Sequence, residues 1–113
     1  MFMIMFVLSE PARLDEVLDA IEAVGIQGST IVESTGINRR RIQKQVGAPF
    51  MAGINRLVQT EEENHYTLFT MVSDQAMVRP FVDAVERVVG DLDEPNTGVL
   101  AVWPLSYLKG VPG

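Results

Sequence analysis

Residues 2 to 8, Phe-Met-Ile-Met-Phe-Val-Leu, are apolar at every position. That run predicts a strand buried on both faces, since a half-exposed strand alternates apolar with polar. Ser9 and Pro11 then mark a helix start, proline being tolerated in the first turn. Leu14, Val17, Leu18, Ile21 and Val24 recur at helical spacing, while Arg13, Asp15, Glu16, Asp19 and Glu22 fall on the remaining positions. The pattern is an amphipathic helix, with Gly25 suited to its C-terminal cap. Gly28 opens a second strand, Ser-Thr-Ile-Val-Glu-Ser-Thr, that ends at Gly36.

Periodicity is weakest from residue 37 to residue 64. Arg39 to Lys44 is polar and basic, whereas Phe50, Met51, Ile54, Leu57 and Val58 are apolar, which predicts a loop and then one short helix over Pro49 to Val58. Glu61, Glu62, Glu63 and Asn64 read as a solvated acidic turn. Tyr66 to Val72 is a third strand, and Ser73-Asp74 a plausible N-cap pair. Val78, Phe81, Val82, Val85, Val88 and Val89 give a second helical stripe that stops at Gly90. A fourth strand covers Val99 to Trp103 and meets Pro104.

The order is β-α-β-(loop and short helix)-β-α-β within a single domain spanning 1–113. This predicts an α+β, ferredoxin-like antiparallel sheet with both main helices on one face. The other face is then unusual, because Phe2 to Leu8 is apolar throughout and Val99 to Trp103 nearly so. Each large side chain fully buried contributes roughly 1.5 to 3 kcal/mol, so a handful left in water would forgo several. Self-association through the sheets is the expected cover, and the loop and short helix folding back over the face is the alternative.

Charge narrows the function. The formal net charge is −6, and the average field of such a protein repels polyanions, which argues against nucleic acid as a partner. The absence of cysteine excludes disulfides, thiolate catalysis and Cys-based metal sites, and one histidine cannot build a multi-histidine centre. The apolar start lacks the basic flank of a targeting segment, and no run reaches the roughly 20 residues that span a bilayer. No membrane insertion and a cytoplasmic location are the expectations.

Against this acidic background, Arg39, Arg40, Arg41 and Lys44 are four of only nine basic residues. Two readings compete. Guanidinium forks beside the backbone amides of Gly36 to Asn38 could chelate a phosphate or carboxylate. The same arginines could instead be solvated and pair with Asp91, Asp93 or Glu94. His65 reads as a strand-start residue half in water rather than a general base, which needs a positioned partner, and no nucleophile-base-orienter set can be assembled. An enzyme is not expected. An acylphosphatase-like hydrolase is the weaker alternative on this topology, because Leu8 to Arg13 lacks the glycine-containing phosphate loop it would want. An RNA-recognition domain would want exposed aromatics and a basic face.

Over nearly its whole length the chain resembles the PII family of signalling proteins. Glu10 to Arg39, EPARLDEVLDAIEAVGIQGSTIVESTGINR, is similar to that family's Pro-containing helix start with its Leu-Asp-Asp/Glu-Val turn, followed by the second strand and the Gly-Phe-Gly-Arg opening of the T-loop. Gly98 to Leu105, GVLAVWPL, is similar to its Gly-Lys-Ile-Phe-Val-Leu-Pro-Val strand. The resemblance implies a homotrimer that binds an adenine nucleotide between subunits and signals nitrogen or energy status to a regulated protein partner, an enzyme or a transporter. It places Gly36, Ile37, Asn38 and Arg39 beside the nucleotide and sets Gly98 as the last glycine of the phosphate-side loop. Thr35, at the strand end, could hydrogen-bond a ribose or base, and Arg40 and Arg41 belong to the guanidinium reading above.

Several positions depart from that pattern. Val99 stands where the family has a phosphate-touching lysine, and Asn96-Thr97 replaces Gly-Asp. Only Lys109 is available for the C-terminal arginines. Arg40 occupies the place of the glutamine that helps hold magnesium and 2-oxoglutarate, and a cation there opposes a metal. Residues 37 to 64 hold one tyrosine-free, serine-free stretch, so the usual T-loop modifications are not expected. The expectation is a non-catalytic regulatory protein with a nucleotide or small-anion site. The alternative is an interaction module of the same fold that has lost nucleotide binding.

Overall fold

The computed structural model describes residues 1–34 and 65–111. Along the chain these form β1 (Phe2–Leu8), α1 (Leu14–Ala23), β2 (Thr30–Ser34), β3 (His65–Val72), α2 (Val78–Val89) and β4 (Gly98–Pro104). Short 3₁₀ turns at Pro11–Arg13 and Gln75–Met77 lead into the two helices. The class is α+β, a four-stranded antiparallel open sheet in the order β2-β3-β1-β4, compatible with a ferredoxin-like fold. The short helix expected over Pro49 to Val58 lies outside the described residues.

Register sorts the apolar run of β1 into two faces. Ile4 stands opposite Thr70 and Val102, Phe6 opposite Leu68 and Leu100, and Leu8 opposite Tyr66 and Gly98. These positions share one face because side chains alternate along a strand. Ile4, Phe6, Leu8 and Leu68 are fully buried there against Val17 and Ile21 of α1 and Phe81, Ala84 and Val85 of α2. The helical spacings of the two stripes therefore point at the same sheet face. Ala84, which a count of large apolar residues passes over, is fully buried among them.

Local signals account for the element ends. Gly25 takes φ +98° and returns its N–H to the Glu22 carbonyl at 3.0 Å, the left-handed cap for which glycine is favoured. Asp74 accepts from the Ala76 N–H at 2.9 Å, so it caps the 3₁₀ turn, and α2 proper starts at Val78. The second strand starts at Thr30, one residue later than its sequence predicts. The Ser29 hydroxyl is hydrogen-bonded to the buried Thr70 hydroxyl and so anchors the chain just before the ladder begins.

One side chain ties the two helical units together. Arg13, at the start of α1, donates from Nη1 to the Val88 carbonyl near the end of α2 at 2.9 Å, and its Nε meets Glu10 at 2.9 Å. The carbonyls of a last helical turn have no intrahelical partner, so this cation satisfies one of them and opposes the negative end of the helix dipole.

Candidate functional site

The last residues of β2 and the first of β3 flank residues 35–64 in the sequence. Glu33 pairs with Tyr66 and Ser34 with His65. Ser34 Oγ lies 3.0 Å from Thr67 Oγ1 and donates to the His65 carbonyl at 3.4 Å. The hydroxyl contacts tie the end of β2 to the start of β3. Thr35, Gly36, Ile37, Asn38, Arg39, Arg40 and Arg41 themselves lie outside the described residues. His65 opens β3 half-buried, one residue before Tyr66, where periodicity starts the strand.

Gly98, the one expected site residue that is described, opens β4 opposite Leu8. It has φ +145°, and a Cβ there would stand 2.6 Å from the Val7 carbonyl oxygen and 2.9 Å from the Phe6 ring. Packing alone therefore demands glycine at this position. The preceding loop closes on itself: Asp91 accepts from the Asp93 N–H at 2.9 Å, Glu94 N–H bonds the Asp91 carbonyl at 3.0 Å, and Thr97 Oγ1 donates to the Glu94 carbonyl at 2.8 Å. Glu86 reaches across to accept from the Leu92 N–H at 3.0 Å. Asp91, Asp93 and Glu94 remain exposed, a negative rim that opposes an anion in this loop.

Ser34 and Gly98 lie at the same end of the sheet but on opposite edges, β2 and β4. Three strand spacings of about 4.8 Å separate those edges, about 14 Å in all. One chain thus does not bring the Ser34 end of β2 next to the Gly98 loop. Lys109 is no closer, since Leu105 bonds the Met1 carbonyl at 3.0 Å and Val111 lines a groove with Met1 and Val72 at the other end of the sheet.

The second sheet face is the other candidate surface. Met3 stands opposite Met71 and Trp103, Met5 opposite Phe69 and Ala101, and Val7 opposite Thr67 and Val99. None of these nine positions is charged. Val99 is 59% exposed, Met71 42% and Trp103 39%, and Val32 of β2 extends the apolar surface beside Thr67. A monomeric antiparallel sheet ordinarily turns polar side chains to water on its outer face. At one end of the face, Met1, Met71 and Met77 line a groove of about 470 Å³ with Ile26, Phe69 and Val111. The sequence pattern flagged the strands but missed this gathering of methionines, because it depends on the β1–β3 register.

Among the described residues, no group of three or more His, Cys, Asp or Glu could hold a metal ion. No helix among them is long and apolar enough to cross a membrane. No protein-family model matches the chain, and no curated protein matches it.

Proposed function

We propose that the chain is a non-catalytic, PII-like regulatory protein that assembles as a homotrimer through its open sheet faces. In this reading it takes a nucleotide or small anion in a cleft between subunits and relays that state to a partner protein. The observation that carries the reading is the uncharged outer face formed by β1, β3 and β4, which calls for an apolar cover. A second copy supplies a matching surface. The two free edges, β2 and β4, run antiparallel to one another, so β4 of one subunit can meet β2 of the next in an antiparallel pairing that repeats around a ring. Such a ring would also bring the Ser34 end of β2 in one subunit to the Gly98 end of β4 in its neighbour, closing the separation found within one chain.

The second reading is an interaction module of the same fold without a nucleotide site. Gly98 favours it, because packing accounts for that glycine and the exposed carboxylates beside it disfavour phosphate. One experiment separates the two. Light scattering gives the mass, and calorimetry with ATP, ADP, AMP, cyclic nucleotides, 2-oxoglutarate and bicarbonate at two salt concentrations gives the ligand. A trimer that binds a nucleotide in wild type and loses it in Arg39→Ala supports the sensor. A trimer that binds none of the panel supports the module, and a monomer at micromolar concentration removes both.

A further inference from the structure

Met3 faces Met71 across the central strand pair, Met5 follows on the same face of β1, and Met1 and Met77 share a groove with Met71. Five of the chain's six methionines thus come from three separate segments to the open face and its rim. In the separate protomer Met1 and Met71 are each 42% exposed, within reach of a small oxidant whenever the assembly dissociates. We propose that Met71, with Met1 and Met3 beside it, is a peroxide-sensitive modification site that sets whether the open face can bind a second copy, a proposal that rests on the self-association reading above.

The chemistry is a two-electron oxygen transfer. A lone pair of the thioether sulfur forms an S–O bond to one peroxide oxygen, the O–O bond breaks, and the departing hydroxide takes the remaining proton and leaves as water. Sulfur is oxidised and peroxide reduced, and a thiol-dependent reductase reverses the change. A sulfoxide is a strong acceptor and loses by burial without a donor. Met3 and Phe69 beside Met71 on this face carry no donor in their side chains, while Thr30 and Ser73 line the groove at its rim. A sulfoxide is more polar than the thioether it replaces, so oxidation makes the associating surface less apolar and favours water over a second copy.

The test measures assembly mass by light scattering on the full chain before and after hydrogen peroxide, with peptide mass mapping. Met71 is expected to gain about 16 Da, and the concentration for half-dissociation to rise about tenfold or more, returning after treatment with methionine sulfoxide reductase. The variant M3L/M71L, of conserved volume, is expected to stay assembled at the same dose. An assembly that persists while Met71 carries the sulfoxide, or a double variant that dissociates as wild type does, overturns the switch. Met71 left unmodified while free methionine in the same solution is consumed overturns the site. A monomer before any peroxide overturns the self-association reading and the switch with it, an outcome visible in the untreated sample alone.

Discussion

Gly98 stands so close to Val7 that a Cβ on it would lie 2.6 Å from the Val7 carbonyl oxygen. The obstacle is backbone in a central strand, which cannot swing aside as a flexible side chain would. The same glycine takes φ +145°, a conformation that side chains disfavour. Gly98→Ala is expected to destabilise the fold by about 2 to 4 kcal/mol, read as a shift of the urea midpoint. A variant as stable as wild type would mean that β4 can start elsewhere, and the glycine would again need another explanation.

Arg13 joins the start of α1 to the end of α2 through the Val88 carbonyl. Its pairs with Glu10 and Glu16 are exposed, and such pairs contribute little. Arg13→Met, which keeps most of the aliphatic stem, is expected to cost about 1 kcal/mol, while Glu10→Gln and Glu16→Gln should each change stability by less than about 0.5 kcal/mol. Equal losses in all three variants would place the effect in the surface pairs.

Thr70 is 1% exposed on the helix-facing side of β3, and its hydroxyl is satisfied by Ser29. Ser29→Ala strands a buried hydroxyl and is expected to cost about 1 to 3 kcal/mol, whereas Thr70→Val leaves only the more accessible Ser29 unmatched and should cost less. The double variant should recover part of the loss, because removing both partners of a buried bond is milder than removing one. Additive losses would show that the two hydroxyls are not coupled.

Ala101 faces Met5 in the middle of the open face, on an edge strand where a longer side chain meets no helix. If that face covers a second copy, Ala101→Glu buries an unpaired carboxylate in the assembly and should reduce the particle to its 12.5 kDa protomer. Circular dichroism is expected to show the protomer still folded. A glutamate variant with the wild-type mass would direct attention away from the sheet face.

Of the expected site residues only Gly98 is described. The basic cluster after Thr35 could be picked out by residue type, and Gly98 by the resemblance to the PII phosphate-side loop. Sequence could not say that Gly98 is imposed by Val7 and Phe6, since those contacts are made by a neighbouring strand about ninety residues earlier. Nor could it place Ser34 and Gly98 on opposite edges, which follows from strand order. By type alone the methionines suit core and interface filling, and only register sets Met3 against Met71.

The sequence by itself determined the elements of the described residues and their order, because periodicity, Pro11, Gly25 and Gly90 act over a few residues. It also determined that β1 has two apolar faces, since every residue from Phe2 to Leu8 is apolar whichever way the strand turns. Tertiary structure decided which of those faces the helices cover and which is left open. Register and strand order are set by packing between distant segments, with Ile4, Phe6 and Leu8 drawn under α1 and α2 and Met3, Met5 and Val7 turned to the other side.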